Sequence, residues 1–139
     1  MRRFLWILLL AACEPGKRHE AEDFVRGLQD VHEWDPARQA AGFYAYDEIL
    51  RLGEEGVPVV VDHLLDETPT KIMEMAHITV PTVGDVCFHI LLRLYGMRAD
   101  DFSSDGVVVL PQIGNPIFAV RFDPGAQRKV QDRFRAARK

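Results

Sequence analysis

The chain has 139 residues, 47% of them hydrophobic, and a formal charge of −4. That length suits one domain with a single core. The charge is uneven: residues 14–105 hold nineteen acids and eight bases, and residues 106–139 hold two acids and seven bases. An acidic body with a basic end disfavours nucleic acid as the main partner, because phosphate binding wants a broad basic face.

Met1-Arg2-Arg3 is a positively charged start, and Phe4 opens an apolar run that continues to Ala12. A bilayer span needs roughly 20 apolar residues, so this run is too short to cross as a helix. It fits the core of a secretory signal, which takes about 7–15. No polar stripe interrupts it at helical period, which argues against an amphipathic helix of a cytosolic protein.

The next residues, Leu10-Ala11-Ala12-Cys13, resemble the bacterial lipobox, an aliphatic residue and two small ones before a cysteine. The resemblance implies that residues 1–12 are removed as a signal peptide and that Cys13 becomes a lipidated N-terminus. Several acyl chains, at ~0.8 kcal/mol per buried CH₂, would make the bilayer attachment effectively permanent. Glu14, rather than Asp, after the cysteine implies the outer membrane where a cell has two. Residues 13–22, polar and opening on Pro15-Gly16, read as a lipidated tether, which leaves 23–139 as a single helical domain. With Cys13 acylated, Cys87 has no disulfide partner in the chain. It lies among Val83, Val86, Ile90 and Leu94 at helical spacing and reads as a small buried hydrophobe.

Residues 20–34 suggest a first helix, with Phe24, Leu28 and Val31 on one face. Asp35-Pro36 reads as an N-cap and first helical proline, opening a second helix to about Leu52 with Ala41, Ala45 and Ile49 inward. Asp47 and Arg51 form a plausible surface pair on it. Gly53 to Gly56 breaks that helix, and Val57-Pro58 restarts one towards Leu65. Val59-Val60-Val61 would suit a strand by propensity, but Pro58 early and Leu64-Leu65 after it favour helix. Residues 66–70 form a turn, and residues 71–80 are either a short extended segment or a loop.

Ile49 to Gly53, then Gly56-Val57-Pro58, then Val61 and Leu64-Leu65-Asp66 resemble one HEAT-type repeat, two antiparallel helices around a Gly-bearing turn. The resemblance covers residues 38–68. A solenoid needs at least three stacked repeats, which this sequence does not offer. A HEAT-like helical pair is expected, not an array.

Thr82 with Asp85 three residues on predicts a capping box for the strongest helix, residues 83–95. Thr82 to Cys87 also resembles a segment of small bacterial HEAT-like proteins. Its faces are apolar except for Asp85, His89 and Arg93, so this helix should be central, and Gly96 stands where a helix ends. Residues 100–106 read as a polar loop. Residues 107–110 and 117–122, flanking Gly114-Asn115-Pro116, predict a β-hairpin. Asp123-Pro124 then caps a last helix, residues 126–138, with Val130 and Phe134 facing the body. The fold class expected is therefore mainly α, with HEAT-like antiparallel helix pairs, a small C-terminal β-hairpin and a terminal helix.

Five histidines (His19, His32, His63, His77 and His89) invite a metal hypothesis, yet none sits in a recognised ligand spacing. The best local cluster is Asp62-His63 with Asp66 and Glu67, where His63 and Asp66 share a helix face. Surface helix ends often carry such residues, and that plainer reading is preferred, with no metal or cofactor expected. Asp85, His89 and Arg93 at four-residue spacing look like an oriented base, but no nucleophile accompanies them and Ser103 and Ser104 lie in a polar loop. They read better as the polar stripe of an apolar helix. The basic last helix (Arg128, Lys129, Arg133, Arg135, Arg138 and Lys139) suits either anionic headgroups or the chain's own acidic body.

These readings converge on a membrane-anchored lipoprotein whose helical domain binds another envelope protein without catalysis. The lipid bilayer, through acylated Cys13, and an envelope protein are the partners expected. The alternative is an envelope hydrolase or metal-dependent enzyme using His63, Asp62 and Asp66, or Asp85 and His89.

Overall fold

The computed structural model describes residues 15–31, 44–73, 79–111 and 116–138. The leader with Cys13, the Asp35-Pro36 helix start, His32, His77 and the Gly114-Asn115 turn lie outside the described residues.

Helix α4, Val83–Tyr95, organises the rest. Thr82 caps it as the sequence predicts: its backbone N–H donates to Asp85 Oδ2 at 2.7 Å, and the Asp85 N–H donates to its hydroxyl at 3.2 Å. That box satisfies two backbone donors a helix start otherwise leaves bare. Gly96 closes the helix with φ of 60°, a left-handed conformation suited to glycine, and the Met97 N–H reaches back to the Leu92 carbonyl at 2.9 Å. Val83, Val86, Cys87, Phe88, Ile90, Leu91 and Leu92 are buried, so α4 is the central helix its apolar pattern predicts.

α1, Pro15–Gly27, packs along α2, Tyr44–Leu52, and also reaches α3, Val57–Asp62, which packs along α4. Ala21, Val25 and Leu28 recur at the helical period and are fully buried. The reading of residues 13–22 as a tether needs correction from Pro15 onward, because α1 begins there and not at Glu20. Proline suits a first helical turn, where its missing N–H has no intrahelical partner to lose. Ala21 is fully buried, and Lys17 and Glu22 bond to residues far along the chain. At the other end α1 stops at Gly27 rather than Trp34, passing through a 3₁₀ turn, Leu28–Asp30. Val31 is extended, and its carbonyl accepts the Lys71 N–H at 3.1 Å.

α3 is helical, as Pro58 argues, although Val57, Val59, Val60 and Val61 are all buried. It ends at Asp62 rather than Leu65. Arg51 pairs with Glu48, at 2.8 Å through Nε, where Asp47 was expected. The segment after α3 bridges to the start of α4: Pro69 pairs with Thr82 as an isolated antiparallel bridge, and the Thr70 N–H and hydroxyl both donate to the Pro81 carbonyl.

A 3₁₀ stretch, Ala99–Asp105, leads into a two-stranded antiparallel hairpin of β1, Val107–Val109, and β2, Val120–Phe122. Val107 faces Phe122 and Val109 faces Val120. β2 is shorter than residues 117–122, because Pro116–Ala119 forms a 3₁₀ turn. Proline has no N–H for a ladder and favours a turn at that point. α5, Ala126–Ala137, follows Gly125, whose φ of 81° makes the helix entry a backbone device rather than a side-chain cap from Asp123. Val130 and Phe134 are buried as expected. Phe88 meets Phe102 and Phe122 edge to face at 5.6 and 5.2 Å, and Phe134 lies 5.3 Å from Phe102, tying α4, hairpin and α5 together. The architecture is mainly helical with one small hairpin and a terminal helix.

Candidate functional site

His63 follows the last turn of α3, half-buried, with a carboxylate at each ring nitrogen. Nδ1 lies 3.1 Å from Asp66 Oδ2, and Nε2 lies 2.9 Å from Glu22 Oε2 on α1. Burial works against the imidazolium, but the hydrogen bonds and charges of Asp66 and Glu22 outweigh it and raise the histidine's pKa above its ordinary value. Burial likewise opposes the Asp66 carboxylate. The bonds it accepts from Thr68, including the backbone N–H at 2.9 Å, together with His63, still lower its pKa.

Only part of the sequence-expected cluster assembles. His63 and Asp66 meet across three residues. Asp62 turns away to Arg135 of α5 at 2.9 Å and Arg18 of α1 at 3.7 Å, and Glu67 is exposed. Glu22 takes the remaining place from 41 positions away, which no local spacing signals. The geometry suits charge pairing rather than metal coordination. The two imidazole nitrogens point to different carboxylates, whereas one cation would need a single lone pair and the oxygens gathered around it. Among the described residues no group of three His, Cys, Asp or Glu side chains is placed to hold a metal ion.

The second constellation separates along α4. Asp85 Oδ2 accepts both the Thr82 N–H and the Thr82 hydroxyl, the latter at 3.0 Å. Burial raises the Asp85 carboxyl against the opposing pull of Thr82. Burial alone lowers His89 to about 4, so its ring is neutral at ordinary pH. Arg93 is exposed. Cys87 is fully buried, and burial, with Asp66 and Asp85 adding, pushes its thiol far above the ordinary range. It packs as the small hydrophobe the sequence suggests. His19 is exposed on α1.

Two cations of α5 serve the chain's own body. Arg133 bonds to Asp105 and to the Asp101 carbonyl, both at 2.9 Å, and lies over the Phe102 ring at 4.5 Å. Arg135 pairs with Asp62. Gln131, buried and not singled out by any sequence pattern, donates to the Val61 carbonyl at 2.9 Å and covers the open end of α3. A pocket of about 460 Å³ lies between Pro81 and Asp85 on one side and Leu110, Ile117 and Val120 on the other. Sequence reading passed over it because its walls come from segments about 30 residues apart. No helix among the described residues is long and apolar enough to cross a membrane.

Comparison with known proteins adds no relative: no protein-family model, curated protein or solved structure matches the chain significantly.

Proposed function

We propose that the chain is a lipid-anchored protein of the bacterial cell envelope whose helical body binds another protein and performs no catalysis. The observation that carries the anchor is Arg2-Arg3, the apolar run and Leu10-Ala11-Ala12-Cys13 in that order. Support for a non-catalytic body comes from where the reactive groups are engaged. Both His63 nitrogens face carboxylates, Asp85 closes a helix cap, and the Cys87 thiol is sealed in the core. His63 joins α3 to α1, Asp85 starts α4, and Cys87 packs within it. The HEAT-like likeness of residues 38–68 points the same way, since antiparallel helices offer ridged surfaces to partners, though a fold likeness is by itself a weak warrant for function.

Because α1 starts at Pro15, only Glu14 separates it from Cys13, a Cα-to-Cα reach of at most ~7 Å. An acylated Cys13 would thus hold the body against the membrane surface. Glu14 directs this reading towards the outer membrane. The test is Cys13→Ala in cells fed labelled palmitate. Loss of label and release from the membrane fraction are expected, and labelling equal to wild type would discard the anchor. Crosslinking from intact membranes should then return one stoichiometric protein partner, and recovering none would discard the binding role.

A further inference from the structure

The pocket between the start of α4 and the hairpin has a chemistry that none of the above uses. Its volume of about 460 Å³ falls within the ~300–1,000 Å³ of small-molecule sites. Among the described residues that line it, Val80, Leu110, Ile117, Phe118 and Val120 are apolar, Thr79 and Arg121 add polar surface, and Asp85 is the one acid. The helix cap accounts for Asp85 Oδ2 but supplies no positive charge: only Thr82 offsets the effect of burial on this carboxyl. His89, one turn further along α4, is neutral. Arg121, the one cation among the described residues that line the pocket, is exposed on β2 and does not contribute to the Asp85 shift. A carboxylate buried against apolar walls without a cation is costly, and a ligand that brings the cation relieves that cost.

We propose that this pocket binds a small apolar molecule bearing a primary ammonium group, which pairs with Asp85 while its apolar body lies against Leu110, Ile117 and Phe118. The pairing needs no covalent step. Binding returns the Asp85 carboxyl towards its ordinary range.

Calorimetric titration of the full chain tests this with two probes of nearly equal size. Leucyl-phenylalanine amide carries the ammonium without a carboxylate, and N-acetyl-leucyl-phenylalanine carries the carboxylate without an ammonium. The amide is expected to bind and the acetylated acid is not. Asp85→Asn keeps an oxygen for the Thr82 N–H, and Val120→Trp fills the pocket while leaving Asp85 and its cap untouched. Each should weaken binding of the amide at least tenfold, roughly the effect of losing one buried charge pair. If Asp85→Asn fails to fold, Val120→Trp decides alone. Preference for the acetylated acid would make Arg121 the seat of an anion and overturn the proposal. So would millimolar concentrations of the amide giving no heat, or binding that Val120→Trp leaves unchanged.

Discussion

Helices α1 and α4 both have 13 residues, and they are held in opposite ways. α4 carries its own start in Thr82 and Asp85, its own stop in Gly96, and a nearly all-round apolar surface. α1 offers one narrow strip, Ala21 and Val25, continued by Leu28 in the 3₁₀ turn, and is otherwise fastened by ions to distant residues: Lys17 to Glu55 at 2.7 Å, Glu22 to His63 at 2.9 Å, Arg18 to Asp62 at 3.7 Å. One helix is specified where it stands. The other is specified by what it meets. Burial of an apolar face is not subject to charge screening, whereas exposed ion pairs contribute little and are screened by salt. α1 is therefore expected to loosen before α4 does.

The largest expected effect breaks the α4 side. Gly84 lies so close to the end of α3 that a Cβ on it would stand 2.5 Å from the Leu64 carbonyl oxygen, and its N–H donates to the Asp66 carbonyl at 2.9 Å. Alanine improves helix propensity by ~1 kcal/mol, but forcing a methyl into close-packed backbone costs up to ~3 or more. Gly84→Ala should therefore lose about 2 kcal/mol net and lower the melting temperature by several degrees. An unchanged melting temperature would mean that the two segments are not in such close approach. Next comes Thr82→Ala, which removes the cap hydroxyl while leaving Asp85 in place. A loss of ~1 kcal/mol is expected in denaturant titration, and none would show that burial alone sets the helix start.

The same contrast decides how much the sequence revealed. Thr82, Asp85 and Gly96 act within three residues or through their own backbone, so the bounds of α4 are legible from spacing. So is the helical fate of the Val57–Val61 run, because Pro58 is a local signal. Gly84 also looks local, yet its role depends on the Leu64 carbonyl, which only the packed structure brings near. The candidate site divides likewise. His63 and Asp66, three residues apart, were expected together and meet in the turn after α3, whereas Glu22 reaches them from a segment read as a tether. A polar stretch such as Glu14 to Glu22 gives little periodicity, and its helix is stabilised by tertiary contact rather than by intrinsic preference. Gln131 escaped notice for a related reason: a glutamine on a basic helix looks solvated until the open carbonyls of α3 lie beneath it.

The α1 side gives the smallest effect and the clearest pH signature. Glu22 and Asp66 raise the His63 pKa against the opposing effect of burial, so folding takes up a proton where the unfolded histidine would have lost it. The stabilisation is fully present below the unfolded value near 6.5 and is lost as pH rises through the higher folded value. Asp66 sets the lower limit: with its folded pKa below the ordinary 3.8, its contribution holds above that value and is lost as pH falls through the folded one. The clamp between α1 and α3 is thus strongest in mildly acidic solution, and part of it is screened because both partners are about a quarter exposed. Following the His63 ring protons by NMR should give a midpoint above 6.5 in the wild type. Glu22→Gln should move that midpoint down and flatten the fall of stability between mildly acidic and mildly alkaline pH, while the α4 amides keep their exchange protection. If the midpoint stays put in the variant, Glu22 does not hold His63, and α1 is seated by its apolar strip alone.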